Sequence, residues 1–301
     1  MTDPDAFSTV PPPTGAAPAR RLKDRLQALA SALLLPALQR VAGDRVGGST
    51  LEAAWRVVER VRGERLGYTL GYWDGPGDTP ATVMTAYRRA LERLVGAAGY
   101  LSIKPPALRF HGEAADELAR AAAEAGVRLH CDSHALSAAD ATLAFAERLA
   151  ERLPPHQVSI SLPARWGRSS VDVARLGRRA IGVRVVKGQW PDPAAPSACP
   201  REGFLALTER LADDDGGGWV ALATHDAALL QQAIPRLAGR GFELEKIHGL
   251  ERAELFALAA DAGAPARLYV PFGEGFAVSA LGVLRRNPRL LVAMLRSRLG
   301  V

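Results

Sequence analysis

The sequence predicts a (β/α)8 barrel of the TIM type with extra helices ahead of it, and three observations predict it. Strand-like runs recur eight times, over 66–72, 100–104, 127–132, 158–162, 183–187, 219–224, 242–246 and 267–270. Amphipathic stretches of helical period separate them, over 79–94, 114–125, 138–152, 170–179, 202–212, 227–238 and 251–262, with lengths that suit right-handed crossovers. Polar residues then gather where several strands end, which is where a parallel barrel carries its chemistry. A doubly wound open sheet is the competing architecture, but no Gly-x-Gly-x-x-Gly follows the first strand.

Ahead of the rhythm, residues 1–20 carry Pro11, Pro12 and Pro13 among Ala, Gly and Thr with no period, which reads as a disordered tail. Residues 21–41 have helical periodicity, and Ser49-Thr50 before Leu51 reads as the cap of a second helix. The expected organisation is that tail followed by one domain over 21–301. The N-terminus has neither a basic n-region nor an apolar h-region, and the apolar patch over 28–38 is too short to span a bilayer.

The net charge of +6 does not point to nucleic acid, because the arginines are scattered among acids along helical faces. Cys131 and Cys199 have no metal-type spacing, so a reducing cytoplasm is the simplest setting. Lysine is scarce: of 38 basic residues only Lys23, Lys104, Lys187 and Lys246 are lysines. Where charge alone is wanted arginine supplies it, so Lys104 and Lys187, each closing an apolar run, mark places that need a compact ammonium.

The run from Gly182 to Trp190 is the centre of this reading. Val183, Val185 and Val186 favour a buried strand, Arg184 lies inside it, and Gly188 with Pro191 and Pro193 ends it just after Lys187. The other strand ends hold Lys104, His130 with Asp132, Thr224 with His225, His248, and Tyr269. A barrel needs no such collection for its stability.

The order of these segments resembles proline dehydrogenase, in its short monofunctional bacterial form. The resemblance rests on Tyr100 to Lys104, Val183 to Gly188, Ala223-Thr224-His225-Asp226, Ile247 to Leu250 and Tyr269 to Gly273, and runs from about Gln39 onward. It implies a distorted (β/α)8 barrel with FAD held non-covalently over the C-terminal rim. It also implies oxidation of L-proline to 1-pyrroline-5-carboxylate, or of a related cyclic or secondary amine, by hydride transfer to the flavin, with a quinone or other electron acceptor. A cytoplasmic place follows, or one at the periphery of the inner membrane; oligomeric state is left open.

Carried over by position, Arg184 sits at the flavin's reactive edge and Lys187, Gly188 and Gln189 line the cofactor. Thr224 and His225 take its pyrophosphate and adenine side, Lys104 meets the substrate carboxylate and Tyr269 packs on the substrate ring. Cys131 and Pro163 come next to the flavin. A cation near a flavin that gains negative charge raises the driving force for its reduction, which suits Arg184 and Lys187 on chemical grounds as well.

Three positions depart from the family's pattern. Its catalytic aspartate falls on His130, with Asp132 two residues on and on the same strand face. Its flavin-bonding glutamine falls on Pro163, and its arginine pair falls on Gly282-Val283, with Arg285-Arg286 three residues beyond. These departures keep two alternatives open. One is a catalytically inactive relative that binds a ligand or partner, and the other is a metal-dependent barrel hydrolase using His130, Asp132, His134, His225 and His248.

Overall fold

The computed structural model describes residues 48–276 apart from 196–197, 215 and 250–252. The expected tail over 1–20, the expected helix over 21–41 and Arg285-Arg286 lie outside these residues.

Helix α1 (Leu51–Gly63) is followed by β1 (Gly67–Tyr72), α2 (Pro80–Leu94), β2 (Tyr100–Ile103), α3 (Gly112–Ala125), β3 (Arg128–Cys131), α4 (Ala139–Ala150) and β4 (Val158–Pro163). Then come α5 (Ser169–Gly177), β5 (Gly182–Val186), α6 (Pro200–Ala212), β6 (Val220–Ala223), α7 (Ala227–Ala233), β7 (Phe242–Ile247), α8 (Ala253–Asp261) and β8 (Ala266–Phe272). The eight strands are parallel, pair in sequence order, and close where β8 meets β1. The fold is the (β/α)8 barrel that the sequence predicts.

Local chemistry explains the helix ends. Thr50 accepts from the Ala53 N–H and Thr79 from the Thr82 N–H, each filling an orphan donor in the first turn, and Pro80 begins α2 where its missing N–H costs nothing. The stretch expected as one helix over 227–238 divides at Ile234, where Pro235 turns the chain into a tight 3-10 turn. Among the described residues no helix is long and apolar enough to cross a membrane.

Alternation along each strand sorts side chains between the helix layer and the barrel interior. Leu101, Leu129, Ile160, Val183, Val185, Leu222, Leu244, Leu268 and Val270 belong to the apolar core that the helices cover. The interior holds the opposite set. Register places Gly71, Ser102, His130, Ser159 and Gly182 across one level, and Arg184, Ala221, Glu243 and Arg267 belong to the same inward face.

Small residues there leave room for large charged ones. A Cβ at Gly71 would come within 1.9 Å of the Tyr269 hydroxyl, and one at Gly67 within 3.0 Å of the Arg267 guanidinium. The interior is therefore packed with ionic groups.

Candidate active site

The charged interior forms one connected chain. Arg267 donates to both oxygens of Glu243 at 3.0 and 3.1 Å and stacks over the Tyr100 ring, 4.0 Å from its centre. Tyr100 donates to Glu243 at 2.6 Å and reaches Glu245 at 3.4 Å. Arg184 grips Glu245 with two hydrogen bonds, from Nε at 2.8 Å and NH2 at 2.9 Å, and its NH1 donates to Asp132 at 3.1 Å. Burial opposes the Arg184 charge, yet Glu245, with Tyr100, Asp132 and Tyr269 around it, holds the guanidinium firmly protonated.

Asp132 is the point where this chain reaches the rim. Tyr269, buried in β8, donates its hydroxyl to Asp132 Oδ2 at 3.1 Å and accepts from Trp73 Nε1 at 3.1 Å. Lys104 Nζ lies 3.9 Å from the same Oδ2, donates to the Tyr72 carbonyl, and sits 4.8 Å from the centre of the Trp73 ring. Burial pushes the Lys104 ammonium below its ordinary range, and Asp132 and Asp74 partly restore it. Its backbone is anchored too, through a 2.7 Å hydrogen bond from its N–H to the Tyr87 hydroxyl. Lys104 and Asp132, which follow β2 and β3, thus meet Arg184 from within β5 and Tyr269 from within β8.

His130 lies one level below and is fully buried. Its two ring nitrogens are engaged by Ser159 Oγ at 2.7 Å and Ser161 Oγ at 2.8 Å, and Nε2 is 3.6 Å from Asp132. Burial, with Arg184 and Arg128 nearby, drives its pKa well down, so the ring is neutral at pH 7. The carboxylate that reaches the rim is that of Asp132, while His130 supports it from beneath. Cys131 alternates with them and faces the apolar core, where burial pushes its thiol far up.

A second group lies beyond β5 and β6. Lys187 Nζ donates to Asp226 Oδ2 at 2.7 Å, and Arg201 on α6 donates to the same oxygen. Asp226 Oδ1 caps α7 through the Leu229 N–H at 3.0 Å, and Thr224 Oγ1 accepts the Asp226 N–H at 3.2 Å. The Lys187 hydrogen bond is the leading cause that brings the Asp226 carboxyl down to about 2. His225 is exposed at the surface, but crowding by protein atoms and the charges of Lys246 and Lys187 lower it to about 4, so it too is neutral at pH 7.

Gly188 takes a positive φ of +89° and lies against Pro163, whose Cβ is 2.8 Å from where a Gly188 Cβ would be. Gln189 offers its carbonyl to Arg165 at 3.3 Å. His134 packs edge-on against Trp190 at 5.6 Å. Among the described residues no three His, Cys, Asp or Glu side chains are grouped to hold a metal ion, so His130, His134 and His225 do not assemble the hydrolase centre considered above.

Sequence reasoning missed Glu243, Glu245, Trp73, Arg201 and the pairing role of Asp226. The signal for the glutamates was the alternation Phe242-Glu243-Leu244-Glu245, which looks like an ordinary half-exposed strand until register turns the acids inward.

Comparison with solved structures adds the fold's relatives. In fold, the chain is similar to proline utilization A. It matches that protein from Bdellovibrio bacteriovorus, in a structure inactivated by N-propargylglycine, at 19% identity and a TM-score of 0.69, over 93% of this chain and 36% of the other. A variant of proline utilization A from Bradyrhizobium japonicum matches at 22% identity and 0.67, over 93% of this chain and 34% of the other. The protein from Corynebacterium freiburgense matches at 19% and 0.65, over 94% and 35%. The chain spans about a third of the length of these proteins. No family model matches the sequence, and neither does any curated protein.

Proposed function

We propose that this chain is an FAD-dependent dehydrogenase of the proline dehydrogenase kind, acting on L-proline or on a related cyclic or secondary amine. The observation that carries the reading is the meeting of Lys104, Asp132, Arg184 and Tyr269 at the rim, in a barrel whose fold is shared with proline utilization A.

The residues at the rim suit FAD in charge and in kind. Lys187 and Arg201 are half-exposed cations with N–H groups to spare for a diphosphate, and Thr224 and His225 adjoin them. Gly188, Gln189 and Pro163 would line the cofactor beside them. When bound, FAD supplies the acceptor for a hydride from the carbon next to the amine nitrogen, and passes electrons to a quinone or other acceptor.

The remaining work falls to the protein. Lys104, with Arg285 and Arg286 as further candidates, holds the substrate carboxylate. Asp132 is oriented by Arg184 and Tyr269, so its carboxylate can take a hydrogen bond from the substrate ammonium and fix which carbon faces the flavin. Tyr269 and Trp73 present aromatic surface to an apolar ring and keep water away from it. Arg184 is a fixed cation where negative charge would build, and its grip on Glu245 means no reorganisation is needed when that happens.

An anaerobic visible spectrum of the purified protein, before and after L-proline, tests this. Flavin bands that bleach with proline support the reading with proline as substrate. Bands that bleach only with another amine keep the chemistry and move the substrate. Bands that no amine bleaches favour the inactive relative, and protein that stays colourless after reconstitution with FAD ends the flavin reading.

A further inference from the structure

We infer that Asp226 occupies the seat of an anionic ligand, and that Lys187 and Arg201 form a phosphate-class anion site whose affinity this carboxylate holds down. The inference rests on the flavin reading above and deepens it, since the diphosphate of FAD and that of a free nucleotide share this chemistry.

The two oxygens of Asp226 have separate tasks. Oδ1 caps α7 through the Leu229 N–H, a task that a neutral asparagine or serine performs equally well. The negative charge serves only Oδ2, which faces Lys187 and Arg201 together.

Those cations come from different elements. Lys187 follows β5 at the rim, and Arg201 is in the first turn of α6, where the helix dipole disfavours a positive charge. Their side chains remain 36% and 43% exposed, so both can turn outward without uncovering the core. One carboxylate held between two cations places a fixed negative charge where a diphosphate would lie.

An incoming diphosphate would take over Lys187 and Arg201 while Asp226 kept its cap. Repulsion from the remaining carboxylate would weaken that complex. Removing the charge without removing the cap should therefore tighten anion binding by about tenfold at low salt.

The test is calorimetric titration of the full chain, as wild type, Asp226→Asn and Asp226→Ser, with inorganic pyrophosphate, ADP and FAD. Two capping-competent replacements guard against one that fails to fold, and far-ultraviolet circular dichroism checks each. Pyrophosphate binding that tightens about tenfold in both variants, and is lost when Lys187→Ala is added, is the expected result. Equal affinities in wild type and variants, or no pyrophosphate binding at millimolar concentration in any of them, overturn the inference. FAD binding that is unchanged by the substitutions overturns it while leaving the flavin reading intact. Tighter pyrophosphate binding without any FAD binding upholds it and ends the flavin reading.

Discussion

Arg184 holds Glu245 through two hydrogen bonds inside the barrel, and Arg175 on α5 holds Glu147 on α4 through two hydrogen bonds of 2.7 and 2.6 Å on the outside. The bonds are alike in geometry and opposite in surroundings. The inner pair is 4% and 2% exposed, whereas the outer arginine is 36% exposed. The outer pair belongs to a belt that links neighbouring helices, with Arg88–Glu117 between α2 and α3, Arg148–Asp116 between α4 and α3, and Arg236–Glu209 reaching α6. Water can replace any bond of that belt. Inside, nothing can, so the interior chain from Arg267 to Asp132 constrains its members in a way the belt does not.

The comparison is tested most severely by removing one inner partner. Glu245→Ala leaves Arg184 charged and buried without its bidentate acceptor, and should cost about 3–5 kcal/mol in urea unfolding. Replacing both, Arg184→Met with Glu245→Leu, should recover most of that loss, because neither member of the buried pair is left behind and Asp132 keeps Tyr269 and Lys104. A single-variant cost below about 1 kcal/mol would show that the interior is wetter than its burial implies.

A second contrast concerns function. Lys104→Met removes the buried ammonium beside Asp132 while keeping much of its volume. Loss of one charge-assisted contact worth about 1.5–3 kcal/mol predicts a 10- to 100-fold weaker Kd for a carboxylate ligand such as cyclopentanecarboxylate. Arg148→Met in the belt should leave that Kd unchanged. Equal effects would mean that Lys104 acts through the fold and not through contact.

The same lysine carries a pH signature. Its pKa lies below the ordinary 10.5 because of burial, with Asp132 and Asp74 opposing. The ammonium form that attracts a carboxylate is present below that depressed pKa and is lost as pH rises through it. Affinity for cyclopentanecarboxylate should therefore fall at a pH below the usual lysine range, and the fall should vanish in Lys104→Met. A flat profile across that window would remove Lys104 from the binding site.

Much of this architecture was legible in the sequence because it depends on local rules. β-branched runs bounded by Gly and Pro gave eight strands at the right places, with the expected run over 267–270 extended to Phe272. That extension was hidden by Pro271, which reads as a breaker but sits within β8 opposite Gly71 of β1. The rim rule likewise brought Lys104 and Asp132 into view, since each follows a strand, whereas Tyr269 sits mid-strand once β8 runs on to Phe272.

What stayed hidden depends on register. Nothing local says that Glu243 and Glu245 face Arg267 and Arg184 across the interior, or that Asp226 is the partner of both Lys187 and Arg201. Trp73 was equally silent, because its role comes from contacts with Tyr269 and Lys104, each far away in sequence.

The smallest expected effect belongs to the belt, and it sharpens the comparison by its sign as well as its size. The Arg175 hydrogen bond is the main cause that holds the Glu147 carboxyl below its ordinary 4.5. A carboxylate with a depressed native pKa adds stability above its unfolded pKa, and that stability is lost as pH falls through the native value. Solvent around Arg175 limits the contribution to about 0.2–1 kcal/mol. Glu147→Gln should therefore lower stability by that much at pH 7, by progressively less as acid is added below about pH 4.5, and by less again in molar salt. Thermal unfolding across pH and salt measures all three. A loss as large and as salt-insensitive as that of Glu245→Ala would erase the distinction between the two regions.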